Sequence, residues 1–177
     1  MGTMTRVFEF DSAHRVMNEK FKCYNLHGHR FKVEVTFNYK DTSKLGYAID
    51  FKEVKRVCGD FIDEFLDHGC LLNPKDLALI TMCKVNNWKL WIMGLGKDGD
   101  INPSAENIAA ELTTIFNQFF TLEKQGVAIS SVRLYETPNC WVTVNSPLTA
   151  TMTADFKSQV DRWRQAKGDI CYDTREE

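Results

Sequence analysis

Phe31, Val33, Val35 and Phe37 alternate with Lys32, Glu34, Thr36 and Asn38. A helix of period 3.6 would scatter these apolar side chains around its surface, whereas a strand of period two gathers them on one face. Carried two and four residues upstream, the same face takes in His29 and His27, so both imidazoles project from the core side at its rim. Val7-Phe8-Glu9-Phe10 reads as a second strand, on which Phe10, Ser12 and His14 share a face. Two neighbouring strands of this kind converge three of the chain's four histidines on one point.

Three imidazoles without a fourth protein ligand are the pattern of a catalytic zinc site, with one position left for water or substrate. Cys23, four residues before His27, could instead close a four-ligand structural site. The alternative to a metal is a set of strand-end histidines bonded to their neighbours. An H-x-H pair with a third histidine nearby favours the metal.

The remaining elements follow in order. Lys40 to Gly46 is a turn, and Asp50 with Glu53 has the capping-box arrangement ahead of a helix from about Phe51 to Leu66. That helix carries Phe51, Val54, Cys58, Phe61, Ile62 and Phe65 as one stripe, and Gly69 suits the position just past its end. Pro74 to about Met82 predicts a short helix, and Trp88 to Met93 a strand. Asn102-Pro103 predicts the cap and first residue of a helix to about Phe120. Ala128–Glu136 and Cys140–Asn145 predict two strands around a Thr137-Pro138-Asn139 turn. Thr153 to Ala166 predicts an amphipathic helix, with a polar, frayed Gly168–Glu177 after it. The expected architecture is α+β, a four-stranded antiparallel sheet with two helices on one face. Its two open edges suggest oligomerisation by sheet extension.

At 177 residues a single domain is expected, with a core over about 5–146 and a helix and tail over 147–177. A net charge of −2 gives no footprint for nucleic acid, and no apolar run approaches membrane-spanning length. The first residues lack the apolar region of a signal peptide. Six scattered cysteines, at 23, 58, 70, 83, 140 and 171, form no disulfide framework and suggest a reducing, cytoplasmic setting.

Six short stretches, taken together and in order, resemble the 6-pyruvoyltetrahydropterin and 6-carboxytetrahydropterin synthase family. They are Phe10-Asp-Ser-Ala-His14, Cys23-x3-His27-Gly-His29, Ile49-Asp50-Phe51, Leu66-Asp67-His68, Asn102-Pro-Ser-Ala-Glu106-Asn107 and Tyr135-Glu136-Thr137. The resemblance implies the tunnelling fold, in which three subunits close their sheets into a barrel and two trimers stack as a homohexamer. It implies Zn2+ on His14, His27 and His29, a catalytic Cys23 assisted by Asp67 and His68, and Glu136 anchoring a pterin ring. Glu106 is a further substrate-binding position by the same resemblance, and the implied substrate is 7,8-dihydroneopterin triphosphate. The short Cys-x3-His spacing is similar to the bacterial 6-carboxytetrahydropterin synthases of 7-deazaguanine (queuosine) synthesis. A pyruvoyl-forming phosphate lyase and a non-catalytic zinc-stabilised module stand as alternatives. Gly69-Cys70 and an insert over 74–101 depart from the family pattern, and Cys70 is a rival thiol to Cys23.

Overall fold

The structure, a computed structural model, describes residues 1–147 and 150–168, apart from the Glu123 side chain. The expectations for the tail beyond Gly168 and for Cys171 lie outside the described residues. β1 (Gly2–His14) and β2 (His27–Tyr39) pair antiparallel along their whole length, with Phe10 opposite Phe31 and His14 opposite His27. β5 (Val127–Thr137) lies on the other side of β2, and β6 (Cys140–Asn145) lies beyond β5, both antiparallel. These are the four strands that the sequence predicts.

Two short strands extend the sheet on the β1 side. β3 (Gly69–Leu72) runs parallel to β1, and β4 (Leu90–Ile92) runs parallel to β3. The order among the described residues is β4-β3-β1-β2-β5-β6, a mixed sheet whose edges are β4 and β6.

One face of the sheet is covered by helices. α1 (Phe51–Val54) and α2 (Asp60–Phe65) are joined through a π-helical turn, Lys55–Gly59. Gly59 sits where this run crosses β1, and a Cβ there would come within 2.9 Å of the Phe8 ring, so only glycine lets the helix lie so close. α3 is Leu77–Val85, shifted three residues from the prediction because Asp76 supplies its cap. α4 (Ala105–Phe116) starts after Ser104, whose hydroxyl takes the Asn107 N–H, rather than at Asn102. α5 (Leu122–Gln125) is a single turn, and α6 (Ala154–Ala166) is capped by Thr153.

Phe31, Val33, Val35 and Phe37 are buried to the last percent, in one core with Phe61, Leu112, Ile115 and Phe116. α6 is fastened by Trp163, whose ring lies 5.1 Å from Phe61 and 5.5 Å from Phe119. Aromatic pairs at such distances add to the area they bury. Among the described residues, no helix is long and apolar enough to cross a membrane.

Candidate metal centre and adjoining pocket

The β1–β2 register dictates the centre of the site. His14 faces His27 and Ser12 faces His29 across the pair, so alternation brings three imidazoles to one side at the open end of the hairpin. Their ligating nitrogens lie within 4.8 Å of one another, the one group of three or more metal donors among the described residues. Between the two β2 histidines, Gly28 lies against β1; a Cβ there would sit 3.1 Å from the Ser12 carbonyl oxygen.

The hydrogen bonds behind the rings set their tautomers. His14 Nδ1 lies 2.7 Å from the Pro103 carbonyl, and His27 Nδ1 lies 2.7 Å from the Asn25 carbonyl. A carbonyl only accepts, so both Nδ1 atoms carry the proton and both Nε2 atoms are bare lone pairs. Backbone partners of this kind are what orient metal-bound imidazoles. His14 is fully buried, and its Nε2 has no hydrogen-bond partner among the described residues. Burial holds its pKa below the ordinary 6.5, against the pull of the Pro103 bond, so the ring stays neutral at pH 7. The Glu136 carboxylate lies 3.6 Å from that same Nε2. A neutral lone pair facing a carboxylate is not an ion pair; a cation near both relieves the repulsion. An orphaned, buried lone pair in a three-nitrogen cluster fits Zn2+.

Cys23 is half-buried in a 3-10 turn, Lys22–Tyr24, within the loop joining β1 to β2, and is not part of the donor group. The loop is closed by the Val16 N–H donating to the Cys23 carbonyl at 2.8 Å.

Asp67 and His68 form the turn between α2 and β3. The Asp67 carboxylate accepts from the Asp11 N–H (2.9 Å) through Oδ1 and from the His68 ring at Nδ1 (2.7 Å) through Oδ2. His68, rather than the glycine after it, takes the left-handed backbone, at φ 57°. Its side chain is 76% exposed. A pocket of about 510 Å³ is lined by His68, with Asp11, Arg30, Cys70, Trp88 and Lys89 among its walls, and borders β2 at Gly28 and His29.

Burial and contact with the Cys83 thiol push Cys70 up to about 11, so it is protonated at neutral pH. Glu106 is exposed in the first turn of α4, as dipole compensation predicts, and does not line this pocket.

Trp88 and Lys89 are pocket residues that the sequence reading passed over as the start of a strand. No local sequence signal marks them; in the structure the Trp88 indole is 53% exposed.

The profile of the family described as 6-pyruvoyl tetrahydropterin synthase matches residues 3–147. A protein of Rickettsia felis named 6-carboxy-5,6,7,8-tetrahydropterin synthase is 40% identical over 79% of this chain and 97% of its own. One of the same name from Haemophilus influenzae is 31% identical over 78% of this chain and 94% of its own. Among solved structures, 6-pyruvoyl tetrahydropterin synthase of Caenorhabditis elegans superposes with a TM-score of 0.56 at 21% identity, over 82% of this chain and 95% of that one. An uncharacterised protein of Wolinella succinogenes reaches 0.67 at 21% identity, over 82% and 98% of the two chains. The fold is therefore that of these synthases, and the chain belongs to the 6-pyruvoyl tetrahydropterin synthase family.

Proposed function

We propose that this chain is a 6-carboxy-5,6,7,8-tetrahydropterin synthase, a zinc-dependent lyase. It converts 7,8-dihydroneopterin triphosphate and one water to 6-carboxytetrahydropterin, acetaldehyde and triphosphate, in the cytoplasm and for 7-deazaguanine synthesis. The carrying observation is the three-imidazole cluster with its orphaned His14 Nε2, in a chain 40% identical to a protein of that name.

His14, His27 and His29 hold the zinc, which when bound supplies Lewis acidity toward the hydroxyls of the substrate side chain. Cys23 is the base: it stands close to the cluster along the chain yet outside the donor group, and takes a proton from the substrate. Asp67 holds the His68 ring proton on Nδ1, which leaves Nε2 of an exposed imidazole to accept a proton and return it. Glu136 anchors the pterin, its carboxylate accepting from the ring N–H groups. Glu106 is a substrate-binding position by the resemblance alone; like Cys23 and Glu136, it is not among the residues lining the pocket beside His68. The open edges β4 and β6 suit the hexameric assembly of the resembled family.

The closed structural site is disfavoured because Cys23 is not in the donor group. Three variants test the reading. His27→Ala loses most bound zinc and stays folded; retained zinc overturns the ligand set. Cys23→Ala keeps its zinc and loses turnover, whereas joint loss of zinc and stability returns the closed site, since there folding and binding are coupled. Cys70→Ala retains most activity, as a thiol pushed up to about 11 is a poor base near neutrality; an inactive Cys70→Ala beside an active Cys23→Ala reverses the assignment.

A further inference from the structure

We propose that Lys89 is a positioning residue, holding the Asp67–His68 turn in the strained shape that presents His68 to the pocket. The proposal rests on the reading of His68 as the proton-transfer group.

His68 adopts φ 57°, a backbone region that a non-glycine residue keeps only where its surroundings over-determine it. On the β1 side, the His68 N–H donates to the Asp11 carbonyl at 2.6 Å and the Ser12 hydroxyl donates to the Leu66 carbonyl at 2.5 Å. On the other side stands Lys89. Its Nζ donates to the carbonyls of Asp63 and Asp67, both at 2.7 Å. Its stem lies over Gly69, where a Cβ would come within 3.3 Å of Lys89 Cγ and Cδ. Its own carbonyl accepts from the Cys70 N–H at 3.0 Å.

The Asp67 carbonyl and the His68 N–H belong to one peptide group, and in a trans peptide they point in opposite directions. Lys89 grips one end of that plane and Asp11 the other. Pinning the plane at both ends sets the His68 backbone and hence the direction in which the imidazole leaves it. An ammonium is also the group that the carbonyl end of a helix favours. The lysine itself is anchored through its neighbour, since the Trp88 N–H donates to the Cys83 carbonyl at 2.9 Å. The insert thus does more than border the pocket: it supports the turn that carries His68.

Lys89 also lines the pocket, and direct contact with substrate has a different kinetic signature. Lys89→Met keeps the stem and removes the charge and donors. With zinc-loaded protein and 7,8-dihydroneopterin triphosphate, kcat should fall by about tenfold or more while KM stays within about twofold. Solvent exchange of the His68 amide should quicken and zinc content should stay at the wild-type level. Lys89→Arg, which can still donate to two carbonyls, should restore most of kcat. A raised KM with unchanged kcat makes Lys89 a substrate ligand and overturns the proposal, as does unchanged kcat with unchanged amide exchange. His68→Ala run alongside separates the two levels. Full activity in that variant overturns the reading of His68 and the proposal with it, whereas an inactive His68→Ala beside a fully active Lys89→Met overturns the proposal alone.

Discussion

Asp67→Asn is a one-atom change whose consequence follows from the hydrogen bonds of the turn. Asp67 accepts twice, from the Asp11 N–H at 2.9 Å and from the His68 ring at 2.7 Å. An amide has one acceptor and one donor end. The backbone N–H of Asp11 cannot change its role, so the amide oxygen stays there and the amide NH2 turns toward His68. The imidazole can change its role: its proton moves to Nε2, and Nδ1 becomes an acceptor. Every hydrogen bond survives, so stability should shift by no more than about 1 kcal/mol, the net worth of one such bond. The face that His68 shows to the pocket has, however, changed from an acceptor to a donor. Loss of a positioned acid–base group costs on the order of 10²–10⁴ in rate, or about 2.7–5.5 kcal/mol in activation free energy. The assay is kcat on 7,8-dihydroneopterin triphosphate, paired with thermal unfolding and with nitrogen NMR of labelled histidine to read the tautomer. A variant within about threefold of wild type despite the switched tautomer would refute the role of His68. A fall of several kcal/mol in stability would refute the hydrogen-bond argument itself.

Two further perturbations address the groups around His14. Glu136→Gln keeps the shape but turns one oxygen into a donor facing the pterin N–H groups, and should cost about 2–4 kcal/mol in kcat/KM with zinc content unchanged; loss of zinc would make Glu136 a ligand instead. The folded-state pKa of His14 is depressed by burial, so the stability it contributes is present above its ordinary 6.5 and is lost as pH falls toward the lower folded value. Metal-free protein should therefore unfold at lower temperature as pH drops below about 6.5, and His14→Gln should flatten that dependence; equal slopes in the two proteins would contradict it.

The histidine cluster was readable in the sequence because a strand imposes one rule, period two, and the cluster obeys it in register with Phe31, Val33, Val35 and Phe37. The β3 strand was not readable. Leu71 and Leu72 are both fully buried, so this short run in a parallel pairing has no alternation to detect. Gly69 looked like the left-handed residue past the helix because glycine adopts that backbone most freely. His68 takes it instead, held by Asp11, a tertiary bond that no local pattern announces. Asn102 looked like a helix cap, yet its side chain accepts from the Met17 N–H and from Asn73, bracing the mouth of the β1–β2 hairpin, and Ser104 does the capping. Trp88 and Lys89 reach the pocket only through β3–β4 pairing, across about twenty residues of chain whose chemistry gives no hint of it.

The most direct test of the central claim is the product itself. Zinc-loaded protein incubated with 7,8-dihydroneopterin triphosphate and followed by mass spectrometry should yield 6-carboxytetrahydropterin, with acetaldehyde and triphosphate released in equal amounts. Accumulation of the pyruvoyl product without acetaldehyde, or untouched substrate beside fully occupied zinc, would contradict it.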